Sequence, residues 1–221
     1  MTYQGCLFAL DDPACDPDFA GERRVQLDGD SWVDVVPTWM RGADLVFGEL
    51  VARMAWNQRE VVMYDRLVTE PRLTAWWTAA DGASEPLPVL GEARQLLSRH
   101  YLRPFDSIGF NLYRDGRDSV AWHSDRERYV REDPVVAIVS VGAPRAFHMR
   151  PRPGFEGEHH QFVVGQGDLL VMGGSCQHQW EHAVPKVAHA AGPRLSIMFR
   201  HHQAEVEERR ERWSRSVASV N

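Results

Sequence analysis

The chain has 221 residues, a formal net charge of −6 and 43% hydrophobic residues, enough for one sizeable core in a single domain. No apolar run approaches the roughly 20 residues of a membrane span, and the pI near 5.9 does not indicate a strongly basic duplex binder. Any nucleic-acid contact therefore falls to a local basic patch, with modest, salt-sensitive binding. Cys6, Cys15 and Cys176 are an odd number without C-x-x-C spacing. That argues against a disulfide framework or a zinc site and for a reduced, cytoplasmic compartment. The start, Met1 to Cys6, has no basic n-region, so no secretory signal is expected.

In chain order, residues 1–36 alternate weakly, with a turn at Asp28-Gly29, and read as short strands or an arm. From Arg41 to Trp56, Leu45, Val46, Glu49, Leu50, Arg53 and Met54 fit an amphipathic helix. Residues 59–77 carry Tyr64, Arg66, Arg72, Trp76 and Trp77. Pro88 to Tyr101, with Val89, Leu90, Ala93, Leu96 and Leu97, predicts a second, bracing helix. Strands follow at Asp106–Arg114, Ser119–His123, Pro134–Gly142, Arg145–Arg150, Gln161–Val164, Asp168–Met172, His178–His182 and Arg194–Arg200. Many short strands with turn signals predict a mostly β fold with flanking helices (α+β) around a double-sheet jelly roll, the double-stranded β-helix.

His123-Ser124-Asp125, followed much later by His182, has the composition of a 2-His-1-carboxylate triad, which holds redox-active iron and leaves open positions. Two imidazoles and one carboxylate leave about +1 on Fe(II), favouring an anionic co-ligand. In a strand alternate residues share a face. Arg194, Ser196, Met198 and Arg200 thus form one face, and apolar Leu195, Ile197 and Phe199 the other. Six residues span roughly 20 Å, so Arg194 and Arg200 suit opposite ends of a small dicarboxylate, which an arginine fork meets bidentately. Asn111 and Tyr113 share a face in the same way. Cys176, near this site, reads as a small buried residue.

Several segments together resemble the AlkB-type Fe(II)/2-oxoglutarate-dependent dioxygenases, a family of nucleic-acid N-demethylases. They run Asn111 to Asp125, Ser140 to Phe147, Gly167 to Met172, Trp180 to Pro185 and Pro193 to Arg200, with Pro71 to Trp77 ahead of them, in the family's order over about residues 55–202. The resemblance implies that His123, Asp125 and His182 hold Fe(II). It also implies that 2-oxoglutarate is bound by Asn111, Tyr113, Arg194, Ser196 and Arg200, with Arg194 expected at the distal carboxylate. O2 is the oxidant. The implied reaction is oxidative demethylation of 1-methyladenine and 3-methylcytosine type lesions in DNA, or RNA, as direct-reversal repair releasing succinate, CO2 and formaldehyde. The target base is single-stranded or flipped from the stack.

The resemblance further implies that residues 55–104 hold a nucleotide-recognition lid and a supporting helix. Tyr64, Arg72 and Trp76 would meet base and phosphate there. An N-terminal arm and bracing helix (1–54), a catalytic core (105–202) and a charged C-terminal helix or tail (203–221) complete one monomeric domain with no membrane partner. The chain departs from the family pattern at Arg126, where an acidic residue is usual and Glu127 is expected to substitute. Other departures are Ser196 and Met198 in place of Asn and Thr, and Glu181 in place of an aromatic. Arg150 is a further candidate contact with nucleic acid, while Arg145 reads as part of the fold. Two other readings stay open: the same chemistry on RNA, a protein side chain or a small molecule, and a non-catalytic jelly-roll binding module.

Overall fold

A computed structural model of the chain describes residues 12–63, 66–125, 133–188 and 191–201. The N-terminal half contains strands β1 (Ala14–Cys15), β2 (Arg23–Gln26), β3 (Ser31–Val36) and β4 (Met40–Arg41), then helix α1 (Ala43–Arg53). Next come β5 (Glu60–Met63), β6 (Arg66–Thr69), β7 (Leu73–Thr78) and helix α2 (Pro88–His100). The remainder is β8 (Ser107–Tyr113), β9 (Val120–His123), β10 (Val136–Gly142), β11 (Arg145–Pro151), β12 (His160–Val164), β13 (Asp168–Gly174), the short helix α3 (Cys176–Gln179), β14 (Trp180–Val184) and β15 (Arg194–Arg200).

Two antiparallel sheets face each other. The large one runs β2-β3-β13-β10-β15-β8-β7 and the small one β12-β11-β14-β9. This is the expected jelly roll. Strand alternation divides its core. On β15, Leu195, Ile197 and Phe199 are fully buried on the outer face, in one cluster with Val46, Phe47 and Leu50 of α1 and Leu90 and Leu97 of α2. Burying each such side chain stabilises by about 1.5–3 kcal/mol. The inner face packs Ile138, Leu170 and Met198 against Phe147, Met149 and Trp180 of the small sheet. Helix α2, which opens with Pro88 in its first turn, buries the stripe its spacing predicts, Val89, Leu90, Ala93, Leu96 and Leu97, whereas α1 buries Ala43, Val46, Phe47 and Leu50 and leaves the expected Leu45 exposed.

Of the two readings of residues 1–36, the described part takes the short strands: β3 lies between β2 and β13 in full register, and Val33, Asp34 and Val36 are completely buried. The weak alternation of Ser-Trp-Val-Asp-Val-Val reflects burial of both faces. Leu73–Thr78 is the edge strand of the large sheet, paired with β8, while the hairpin β5–β6 stands apart as a sheet of its own. His178 is not in a strand. Cys176–Gln179 forms one helical turn, and the strand begins at Trp180. The C-terminal helix expected within 203–221 lies outside the described residues.

Candidate active site

Antiparallel pairing of β9 with β14 sets His123 opposite His182 and then breaks register before Val120 and Val184. The two imidazole centroids lie 4.3 Å apart. Asp125 follows just beyond the strand end. Its backbone N–H donates to Oε1 of the fully buried Gln177 at 2.8 Å, and Ser124 Oγ donates to the Trp180 carbonyl at 2.6 Å. These two bonds fold the H-x-D turn inward. One donor atom from each of His123, Asp125 and His182 then lies within 4.8 Å of the others.

Electrostatics suit this cluster to a cation. Burial, and next the neighbouring His123, push the His182 imidazole down to about 3, so it is neutral at physiological pH. His123 Nδ1 sits 2.9 Å from the Ala121 carbonyl. In a neutral ring that makes Nδ1 the donor and leaves the Nε2 lone pair for a metal. Burial raises the Asp125 carboxyl, but the Arg200 guanidinium, with His182 and His123, outweighs it and holds the group well below the usual carboxylate range. Arg200 Nη2 donates to Asp125 Oδ1 at 2.8 Å. Oδ2 is buried with no hydrogen-bond partner among the described residues, 3.8 Å from His182 Nε2. Two imidazole nitrogens and an orphaned carboxylate oxygen fit Fe(II).

The triad lines a cavity of about 800 Å³ between the sheets. Arg194, only 1% exposed, reaches it from β15. Its Nη2 donates to Ser140 Oγ at 2.6 Å, and its guanidinium carbon is 5.3 Å from the Tyr113 ring centroid. Nε and Nη1 are buried with no hydrogen-bond partner among the described residues. Burial disfavours the charge, yet a guanidinium keeps its proton, so this position calls for an anion. Arg200 lies six residues along the same face, beside the triad. Between them Ser196 pairs in register with Asn111, and both line the cavity with Tyr113. Asn111 Nδ2 lies 3.5 Å from Met198 Sδ.

The large sheet's edge forms the mouth. Trp76 is 48% exposed, while the adjacent Trp77 is buried and donates its indole N–H to the carbonyls of Ala83 and Ser84. Alternation along β7 separates the two faces, so Trp76 belongs to the cavity and Trp77 to the core. Across the sheet Met198, Gly109 and Trp76 stand in register. A Cβ on Gly109 would come within 3.0 Å of Trp76 Cζ3 and 3.2 Å of Met198 Cε, so glycine lets the indole lie over the strand. Arg72, Glu70, Thr74 and Arg59 complete this wall. Tyr64 and Glu127, and with them Arg126, lie outside the described residues.

Other sequence candidates fall elsewhere. Arg145 is buried and donates to the carbonyls of Asp115, Asp118 and Pro185, tying three loops together. Arg150 is not on the cavity wall; it pairs with Glu181 at 3.0 Å and stacks 4.3 Å over Trp122. Cys176 is buried, its Sγ 3.3 Å from the Trp32 carbonyl. Sequence reasoning missed Ser140, Gln177 and Glu70. The first two act from 54 and 52 residues away, and no local pattern marks them. Glu70 could have been found as the acid directly preceding the Pro71-Arg72 segment.

Known proteins point the same way. The profile of the 2OG-Fe(II) oxygenase superfamily matches residues 52–210. The alpha-ketoglutarate-dependent dioxygenase alkB homolog 3 of Mus musculus is 36% identical over 177 residues, 73% of this chain and 62% of that protein. Its Homo sapiens counterpart is 34% identical with the same coverage. The DNA oxidative demethylase ALKBH2 of Arabidopsis thaliana is 32% identical over 117 residues, 43% of this chain and 37% of that protein. The chain thus spans 62% of the length of the alkB homolog 3 relatives. The solved structure of OsALKBH1 superposes with a TM-score of 0.54 at 14% identity, over 82% of this chain and 100% of that one, a likeness of fold. The chain belongs to the 2OG-Fe(II) oxygenase superfamily, and within it to the AlkB type, whose cofactors are Fe(II), 2-oxoglutarate and O2.

Proposed function

We propose that this protein removes N-methyl groups from alkylated bases of the 1-methyladenine and 3-methylcytosine type in DNA, as a direct-reversal repair enzyme. One observation carries the reading. A single cavity has the His123, Asp125 and His182 cluster and inward-facing Arg194 in its wall, and exposed Trp76 beside Arg72 at its mouth. Fe(II), with 2-oxoglutarate and O2, supplies the oxidising power that turns the N-methyl group into formaldehyde while 2-oxoglutarate becomes succinate and CO2.

The chain's own residues do the rest. His123 Nε2, His182 Nε2 and Asp125 Oδ2 hold the metal, and Arg200 keeps Asp125 ionised and oriented. Arg194 receives the distal carboxylate of 2-oxoglutarate on its orphaned N–H groups, with Tyr113, Asn111 and Ser196 lining the way to the iron. Trp76 offers a face on which an unstacked base lies, and Arg72 and Arg59 offer positive charge for the strand. A ring-nitrogen methyl on the pairing edge weakens base pairing and lowers the cost of extruding the base. The buried Cys15 and Cys176, neither in a disulfide, support a reducing, cytoplasmic setting.

Mass spectrometry of single-stranded oligonucleotides bearing one 1-methyladenine or 3-methylcytosine tests the reading. Loss of one methyl that requires Fe(II), 2-oxoglutarate and air, and that disappears in His182→Ala, is the expected result. Succinate formation without any demethylation would keep the iron chemistry and remove the nucleic-acid substrate.

A further inference from the structure

We propose that Glu70 reads the exocyclic amino group of the target base, so that the cavity selects methylated adenine and cytosine over methylated thymine; this rests on the nucleic-acid reading above. Glu70 ends the hairpin strand side of the cavity mouth and lines the cavity with Arg72. Both side chains are 15% exposed, and Arg72 Nη2 donates to Glu70 Oε1 at 3.2 Å. The second carboxylate oxygen, Oε2, is buried with no hydrogen-bond partner among the described residues, and so is Arg72 Nε.

A half-satisfied carboxylate–guanidinium pair is costly in a folded protein unless something else completes it. Here the missing partners are one donor for Oε2 and one acceptor for Nε, side by side in the wall. Four residues of strand separate Arg72 from Trp76, roughly 13 Å, a span shared by a base lying on the indole and the long side chains of Arg72 and Glu70.

The chemistry of the lesions matches that pair. Methylation at N1 of adenine or N3 of cytosine leaves a cationic ring with an amino N–H next to the methyl. A carboxylate oxygen accepts that N–H and neutralises the charge. Methylation at N3 of thymine leaves a neutral ring with a carbonyl oxygen on either side of the methyl instead. Two acceptors then face each other, and Oε2 stays unpaired.

The test compares single-stranded oligonucleotides carrying one 3-methylcytosine or one 3-methylthymine, an amino and a keto pyrimidine of like shape. The full chain is used as wild type, Glu70→Gln and Glu70→Ala, with melting temperatures to confirm folding. Wild type should favour 3-methylcytosine by roughly tenfold or more in kcat/KM. Both variants should bring that ratio close to one, chiefly through a higher KM for 3-methylcytosine, and anaerobic fluorescence anisotropy should show the same loss of preference in binding. The glutamine amide keeps the carboxylate's shape and can face either lesion, so it separates base reading from folding. A ratio unchanged in both folded variants overturns the role of Glu70 and leaves demethylation standing. If wild type converts 2-oxoglutarate but demethylates neither lesion, the nucleic-acid reading fails and the role of Glu70 falls with it.

Discussion

Arg200 Nη2 donates to Asp125 Oδ1 at 2.8 Å, leaving Oδ2 as the buried oxygen that faces His182. One arginine thus fixes both the ionisation and the orientation of the only carboxylate in the His-Asp-His cluster. Arg200→Lys keeps a positive charge but loses the planar fork that holds the carboxylate edge. Fe(II) affinity should fall by about 10–100-fold, the usual cost of losing a group that orients a metal ligand, as measured by anaerobic Fe(II) titration. An unchanged affinity would mean that Gln177 and Ser124 alone hold the H-x-D turn.

Arg194 makes the opposite kind of prediction. It is fully buried with two guanidinium nitrogens unpartnered among the described residues, a costly arrangement in the absence of an anion. Arg194→Met should therefore raise the melting temperature of the protein without 2-oxoglutarate. It should also abolish the further rise that 2-oxoglutarate gives wild type, which at 100 times Kd corresponds to about 2.7 kcal/mol. Differential scanning fluorimetry with and without the dicarboxylate reads both effects. A destabilised variant that still responds to 2-oxoglutarate would show that Arg194 serves the fold rather than the cosubstrate.

Much of this site was legible in the sequence because strands alternate. The seven residues from Arg194 to Arg200 announce a polar face and an apolar face, and the structure puts the first on the cavity and the second under the helices. The pair His123 and Asp125 is equally local. What stayed hidden is what comes from far along the chain. Ser140 under Arg194 and Gln177 behind Asp125 are set by sheet register and by one helical turn. The same limit explains β3: the alternation of Ser31 to Val36 is blurred because both faces are buried, so nothing local reveals a central strand. Trp76 and Trp77 lie on opposite faces by alternation alone, but which of them meets the cavity depends on the register of β7 with β8.

That register gives the next prediction. Gly109 lies opposite Trp76, and a Cβ there would come within 3.0 Å of the indole and 3.2 Å of Met198. Gly109→Ala should tilt the ring off the strand and weaken binding of a methylated single-stranded oligonucleotide nearly as much as Trp76→Ala does. The expected loss is about 1–3 kcal/mol, the worth of one base–aromatic stack. Fluorescence anisotropy on the Gly109 and Trp76 variants and their double mutant checks it. Full additivity in the double mutant would show that the glycine acts through Met198 or the backbone and not through the indole.

The buried thiols tie folding to pH. Burial pushes both Cys15 and Cys176 up from 9.0 to about 12, helped at Cys15 by the nearby charge of Glu92. At pH 9 only about a thousandth of each is thiolate in the folded protein, whereas an exposed thiol is half ionised. Alkylation by iodoacetamide at that pH, read by peptide mass spectrometry, should label both at least about a hundredfold more slowly in native protein than in urea. Linkage fixes the sign of the stability change. Below pH 9 both states keep these protons, and between 9 and 12 the unfolded chain gives them up first. Stability should therefore fall as pH rises through that window, with a limiting slope on the order of 1.4 kcal/mol per pH unit for each thiol. Cys15→Ala and Cys176→Ala should flatten the fall one thiol at a time, and a slope that survives both substitutions would assign the alkaline loss to other groups.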